Sequence, residues 1–536
     1  MCSYRLSTQF RVDASGHRLA PLPTHGIDAA ARYYSARDYD GVERCCRELI
    51  AQDPRHFDAL HLLGVVHLDR GRLTDAVDYL KRAAAEREHD ARVNYHLGTA
   101  LLGDRKFADA EAALRKSLLG HRDDVGALNN LGNALIGQGR HAEALACFEH
   151  VLRQEPAHLA ARYNAARSLV ALDRVDEAIA GFQSALADAP VDTPSDRLAD
   201  IHSGLGQALA EARRFEEAIV VCRALAAIKP GVAAWNESLI LLLRGDFAEG
   251  WRRYESRWDV PDHDRPREDA RVPSLAETAG KHVLLVPEQG HGDLIQFSRY
   301  APLLAAHGAQ VSVQTYVELQ ALMRTLDGVD AVVHPAEPEP ASDIVTPLLS
   351  LPLVFGTDLA SVPDRVPYLR APSDRLTVWR KRLGRRSRRR IGLAWRGTQH
   401  IPKRSVPFAA LQPILVAGDA EFHSLQKEPA GEDHSLIDHH VELQDFADTA
   451  ALISQLDLVI TIDTAVAHLA GALGKPVWIM LHHNADWRWL LDRDDSPWYP
   501  TARLFRQKRP GDWAGVVADV VRALGSVRRP RARART

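Results

Sequence analysis

Hydrophobic and polar positions follow two different rhythms along this 536-residue chain. In the first half, Gly64, Gly98 and Gly132 lie 34 residues apart, each preceded by a leucine (Leu63, Leu97, Leu131). Ala76, Ala110, Ala144 and Ala178 keep the same step, and Ala166 takes the glycine place in one unit. Polar turns (GRLTDA, DRKFADA, GRHAEA, DRVDEA) separate the apolar stretches, and Pro54, Pro156, Pro190 and Pro230 close units. An insertion near Val191–Asp196 shifts the next unit, which resumes at Leu205-Gly206 and Ala218. A fixed period with small residues at fixed places predicts paired antiparallel helices stacked in one dimension. About six or seven such units are expected between about residues 26 and 257.

The unit resembles the tetratricopeptide repeat, whose small residues let two helices pack closely. Such a solenoid presents a groove, which implies a protein or peptide partner. Asn129, Asn130, Asn133 and Asn164 occupy first-helix positions that could face that groove. The last unit changes character: Phe247, Trp251, Tyr254 and Trp258 are spaced 4, 3 and 4, on one helical face, as a docking stripe for the following domain would be.

From His282 the rhythm is that of strands and helices in alternation. HVLLV, QVSVQ (Gln310–Gln314) and AVVH (Ala331–His334) come first, and RIGLAW (Arg390–Trp395), EFHSL (Glu421–Leu425), HVEL (His440–Leu443), DLVIT and PVWIM follow after a basic stretch. Short β-branched runs separated by helices predict parallel sheets. The fold class expected is α + α/β, a helical solenoid followed by two Rossmann-like lobes. The boundaries read as an N-terminal segment 1–25, a solenoid 26–260, a linker 261–281, a first lobe 282–375, a basic linker 376–389, a second lobe 390–525 and a disordered basic tail 526–536.

Composition changes this picture little. A net charge of −3 gives no global pull towards nucleic acid or membrane. The basic run RKRLGRRSRRR (Arg380–Arg390) and the arginine-rich tail carry no interleaved aromatics, so they read as a solvated linker and tail, and no nucleic-acid partner is expected. Five cysteines without metal-ligand spacing suit a reduced, cytoplasmic protein. The first residues lack the apolar core of a secretory signal, and no apolar run is long enough for a membrane span.

Two turns carry candidate chemistry. In Asp457–Leu481 a buried-type strand, Leu458–Ile462, ends in Asp463-Thr464, and a helix follows to Gly474. Backbone N–H groups at such a helix start can cradle a phosphate, and His468 lies one turn inside. In the first lobe, Gly290-His291-Gly292 leaves a strand and Asp293 opens a helix. A dinucleotide fingerprint needs a third glycine where Ile295 stands, so a nicotinamide or flavin site is excluded. The glycines admit a ligand close to the backbone, and Asp293 is a candidate general base or a helix cap. Asp492-Arg493-Asp494 is formally a D-x-D pair but sits in a polar turn, and the His482-His483 pair lacks metal spacing, so no metal site is expected. Asp486-Trp487-Arg488-Trp489 and Trp498-Tyr499 read as packing, with Trp487 and Arg488 as possible ligand contacts.

EQGxGD before a helix, WRG before a Lys-Arg-Ser turn, SLQK, and DTAVAHLAGALGKPVW occur in that order. Together they resemble the heptosyltransferase-type glycosyltransferases of family 9, in the version fused behind tetratricopeptide repeats. The domain order is similar to that of O-linked N-acetylglucosamine transferases. The resemblance implies a GT-B pair of lobes around a nucleotide-sugar site. It makes Asp293 the base and places Asp463, Thr464, Ala465 (where the family often has glycine) and His468 on the donor's diphosphate and sugar. Lys403 or Arg404 would neutralise phosphate. Gly290, Gly292, Trp395, Arg396, Gln426 and Lys427 would line the donor pocket. No cofactor is implied, and the expected partners are a nucleotide-sugar donor and a protein or peptide acceptor. The activity expected is inverting, metal-independent glycosyl transfer. Two alternatives stand beside it: an inactive repeat scaffold, and a heptosyltransferase acting on lipopolysaccharide.

Overall fold

The computed structural model describes residues 25–260, 263, 265–397, 402–417, 420–429 and 435–526. All but one residue of each of the expected terminal segments, 1–25 and 526–536, lies outside them. The chain forms two compact units that divide between Arg214 and Phe215.

The described residues of the first unit form eleven helices, from Ile27–Ser35 to Ser195–Glu211, and successive helices pack on one another. The period has a steric cause. A Cβ on Gly64 would lie 2.4 Å from Leu80, one on Gly98 2.5 Å from Leu114, and one on Gly132 2.5 Å from Phe148. Any side chain there would push the paired helices apart. In the next pair the small residue changes sides. Ala166 stands in the first helix, and a Cβ on Gly181 of its partner would meet the Ala166 Cβ at 3.2 Å. The turns share a backbone shape: Arg37, Gly71, Arg105, Gly139 and Asp173, at 34-residue steps, all have positive φ.

The second unit opens with three more repeat helices, Phe215–Ala226, Pro230–Arg244 and Phe247–Tyr254. The described residues thus hold fourteen repeat-type helices, but the last three fold with the α/β region. The expected 26–260 solenoid is therefore not one compact unit, because the aromatic stripe of its end is buried in the next core. Trp251 meets Trp487 edge-on at 5.2 Å and Phe297 at 6.2 Å, and Phe247 lies 6.0 Å from Trp498.

Two parallel sheets follow. The first comprises β1 (His282–Val286), β2 (Gln310–Gln314), β3 (Ala331–Val333) and β4 (Ile344–Pro347), in the order β3-β2-β1-β4. The second comprises β5 (Arg389–Leu393), β6 (Ala420–Ser424), β7 (Leu436–Ile437), β8 (Leu458–Ile462), β9 (Val477–Leu481) and β10 (Ala502–Arg506), in the order β10-β9-β8-β5-β6-β7. β8 and β9 are buried throughout, as their unbroken apolar runs require. The expected strand at His440–Leu443 is instead a turn, and the pairing with β6 is made by Leu436–Ile437. The expected basic linker 376–389 is largely structured. Ser373–Leu383 is a helix anchored by Trp379, which is fully buried and donates its indole N–H to Asp448 at 3.1 Å.

One apolar core runs from Leu242 and Trp251 of the last repeat, through Val283, Leu285 and Phe297 of the first sheet region, to Ala467, Leu469 and Ile479 of the second. A separate cluster fills the other face of the second sheet under the helix Trp513–Ser526.

Candidate active site between the two sheets

In an open parallel sheet, ligands bind outside the carboxyl ends of the strands where the strand order reverses. In the first sheet this point lies beside β1, which pairs with β2 on one side and β4 on the other. In the second it lies between β5 and β8. The turns at these points are Pro287–Gly292 after β1, Trp395–Gly397 after β5 and Asp463–Thr464 after β8. The last two adjoin: a Cβ on Gly397 would lie 3.6 Å from the Thr464 methyl.

Asp293 lies in the first turn of the helix His291–Phe297 and does cap it, its Oδ2 accepting the Gly290 N–H at 3.0 Å. Its Oδ1 accepts from Arg488 Nη2 at 2.5 Å. Arg488 comes from the second lobe, in the short turn Trp487–Trp489. It is 7% exposed, and also donates to Asp486 Oδ1 at 2.8 Å and to the Gln296 side chain at 2.9 Å. Asp486 Oδ2 in turn accepts from Arg404 Nη2 at 3.4 Å, and Arg404 Nη1 lies 3.4 Å from Asp463 Oδ2. Five charged groups from both lobes thus form one chain: Asp293, Arg488, Asp486, Arg404 and Asp463.

The two arginines are held differently. Arg488 has short bonds to three partners and stacks over Trp487 at 4.2 Å, so its guanidinium is fixed. Arg404 reaches its carboxylates only at the long limit of a hydrogen bond, and its buried Nε has no hydrogen-bond partner among the described residues. The same is true of Asp463 Oδ2. Burial pushes the Asp463 carboxyl above the usual carboxylate range, and neighbouring Asp486 adds to this against Arg404. Burial works the same way on Asp486, but Arg488 and Arg404 outweigh it and hold its pKa below the ordinary value. A loosely held cation beside an under-satisfied acid is suited to exchanging a carboxylate for an incoming oxyanion.

Other expected site residues fall differently. Of Lys403 and Arg404, the structure turns Arg404 to Asp463 and leaves Lys403 exposed. Thr464 caps the helix Ala465–Ala472 with its backbone, and Thr464, Ala465 and Val466 are half-buried. Gly292 admits this helix where a ligand was expected: a Cβ there would lie 3.0 Å from His468 and 3.5 Å from Ala465 Cα. Gly290 N–H is occupied by Asp293. His468 is packed in the core, where its Nδ1 shares a hydrogen bond with Tyr499 at 3.0 Å and its ring stacks on Trp489. Burial pushes its pKa down to about 3, which favours the neutral imidazole.

Trp395 is also core, packed on Phe408. Gln426 is buried and clamps two strand ends, its Oε1 accepting from the Trp395 and Arg396 N–H groups at 2.7 and 2.8 Å. Arg396 is exposed and donates to the Pro429 carbonyl at 2.9 Å. Lys427 is exposed, with its ammonium 3.5 Å from the Gln444 carbonyl. None of these four joins the charge chain. Trp487 packs on the last repeat and the first lobe, so it is not placed as a ligand contact.

Sequence reasoning missed the centre of the chain. Arg488 was noted only as a possible contact and Asp486 had no role, because their partner Asp293 is 195 residues away. It also missed Glu288 of the EQG motif. Glu288 binds the fully buried Arg257 of the last repeat through both oxygens, at 2.5 and 3.1 Å, and accepts the Leu349 N–H at 3.0 Å. The signal was an acid directly after an apolar strand, facing an arginine in an aromatic helix end.

The fold and these turns define a helical-repeat protein with an α/β region of two parallel sheets. Its repeats match models described as tetratricopeptide repeat over residues 27–91, 95–148 and 135–199. Residues 443–486, which include Asp463, Thr464, His468 and Asp486, match the model of glycosyltransferase family 9 (heptosyltransferase). Protein FlbA of Caulobacter vibrioides is 26% identical over 326 residues, covering 53% of this chain; the chain spans about half (53%) of that relative's length. Among solved structures, MamA is 24% identical and covers 30% of this chain and 93% of its own, with a TM-score of 0.29. A tetratricopeptide repeat protein from Parabacteroides merdae is 14% identical, covering 43% and 89%, with a TM-score of 0.36. The chain joins tetratricopeptide repeats to an α/β region with a segment that matches the glycosyltransferase family 9 model, and no helix among its described residues is long and apolar enough to cross a membrane.

Proposed function

We propose that the chain is an inverting, metal-independent glycosyltransferase that moves a sugar from a nucleotide-diphospho-sugar to a hydroxyl of a protein acceptor selected by the repeats. The observation that carries this reading is the continuous charge chain between the two turns, with Asp293 at one end and Arg404 and Asp463 at the other. The acceptor hydroxyl gives its proton to Asp293 as its oxygen attacks the anomeric carbon. The bond from that carbon to the diphosphate oxygen breaks, and the diphosphate leaves with the electron pair. Arg404, released from its carboxylates, and the N–H groups at the start of helix 465–472 take up the negative charge. Arg488 keeps the Asp293 carboxylate aimed between the lobes. Asp293→Asn should lower transfer by about 10²–10⁴-fold while donor binding is kept, as read in a donor-hydrolysis or transfer assay beside a binding assay. Transfer at the wild-type rate would remove Asp293 from the mechanism.

One observation favours a second reading, an interaction scaffold without catalysis. Both Asp293 oxygens are engaged and both arginines face carboxylates, so the cations of the network are already answered within it. A scaffold binds no nucleotide sugar, and a transferase does.

A further inference from the structure

The basic run between the two lobes does not simply point into solvent. At the amino-terminal edge of the second sheet, away from the turns described above, part of it closes a cavity of about 320 Å³. Arg380, Arg386, Arg390 and Lys475 line it, with Asp457 and Gln455. The volume is at the lower end of the range for small-molecule sites.

Local structure accounts for some of these groups. Arg390 donates to the Leu383 carbonyl at 2.6 Å and to Glu421 at 3.2 Å, so it caps the helix 373–383 and its charge is answered. Asp457 is paired with Arg386 and accepts the Arg390 N–H at 2.9 Å. Lys475 gives one of its three donors to the Leu456 carbonyl at 2.9 Å. Arg380, although exposed, has no hydrogen-bond or ion-pair partner among the described residues, and neither has the Gln455 side-chain amide. Arg380 is therefore unanswered by any acid among the described residues, and Lys475 feels only Asp457, whose carboxylate is already paired with Arg386, so the lining of one small cavity carries an excess of positive charge. Burial pushes the Lys475 ammonium below the usual lysine range, a cost that a bound anion would relieve.

We propose that this cavity is a binding site for a small phosphate-bearing dianion, either free phosphate or a phosphomonoester, held by Arg380, Lys475 and the Gln455 amide. The site stands apart from the transferase reading, since none of its residues belongs to the charge chain at the opposite edge of the sheet. A bound dianion ties the interlobe helix 373–383 to the loop that follows helix 465–472.

Calorimetric titration of the full chain at 0.15 M salt tests the site, with inorganic phosphate and glycerol 3-phosphate, which carries no nucleoside, as separate probes. Saturable binding of one of them is expected, weakened at least tenfold by Arg380→Glu and by Arg380→Met and unchanged by Arg404→Ala. The two Arg380 variants change an exposed side chain, and circular dichroism checks their fold. No saturable binding of either probe, or binding that survives both Arg380 variants, or binding lost in Arg404→Ala instead, would overturn the proposal.

Discussion

At the residue scale, the behaviour of the site turns on which charges are fixed and which are exchangeable. Arg488 is buried with two carboxylates against it, so removing it strands both. Arg488→Met should cost about 3–5 kcal/mol of stability, measured by denaturant unfolding. Arg404 is partly exposed and loosely paired, so Arg404→Ala should cost about 1 kcal/mol or less and should act on donor binding instead. Buried histidines give a separate, signed expectation. Burial lowers His468 and His61 to about 3 and His423 to about 4. Their folded pKa values lie below the unfolded value of about 6.5, so the unfolded chain takes up protons first. This contribution is complete above about pH 6.5 and is lost as pH falls through the window towards 3–4. Each histidine contributes up to about 1.4 kcal/mol per pH unit. Melting temperatures between pH 7.5 and 5 should fall, and His423→Asn should flatten the fall. An unchanged slope in that variant would contradict the burial assigned to this ring.

At the element scale, the last repeat helices are the foundation of the α/β region. Phe247, Trp251 and Tyr254 are buried against Phe297, Trp487 and Trp498, and Tyr254 accepts the Gln289 side-chain N–H at 3.1 Å, one residue before Gly290. Arg257 and Glu288 add a buried ion pair from the same junction to the end of β1. A fragment starting at Phe215 should therefore melt cooperatively, whereas one starting at Leu275 should not, as calorimetry of the two would show. Trp251→Ala should cost about 3–5 kcal/mol. A cooperative melt from the shorter fragment would mean that the aromatic stripe is dispensable.

At the scale of the whole molecule, periodicity was legible and long-range pairing was not. The 34-residue step was legible because each glycine meets its apolar partner (Leu80, Leu114 or Phe148) only 16 residues on. β1, β8 and β9 were legible because burial on both faces makes their sequences almost continuously apolar, and β2, β5 and β6 because short apolar or alternating runs recur between helical stretches. β4 was missed because it is four residues long and ends in Pro347, and β10 because its arginines break an apolar run at the sheet edge. β7 was sought a few residues too late because a two-residue edge strand has no pattern of its own. In the site, Asp293, Asp463, Thr464 and Arg404 could be named from motifs. Arg488 and Asp486 could not be given their roles, because WRWLL also reads as packing and their partners come from distant turns. Gly292 and His468 were expected at a ligand because they flank the turns, but the same smallness and ring shape serve the packing of one lobe on the other.

The central claim is that the turns between the two sheets form a nucleotide-sugar site with Arg404 on the donor and Asp293 reserved for the acceptor. Its most direct test is calorimetric titration of the full chain with a panel of nucleotide-diphospho-sugars, repeated on Arg404→Ala and Asp293→Asn. Saturable binding of at least one donor is predicted, weakened at least tenfold in Arg404→Ala and kept within about twofold in Asp293→Asn, the latter a difference of about 0.4 kcal/mol. Absence of binding across the panel, or equal binding by wild type and Arg404→Ala, would contradict it.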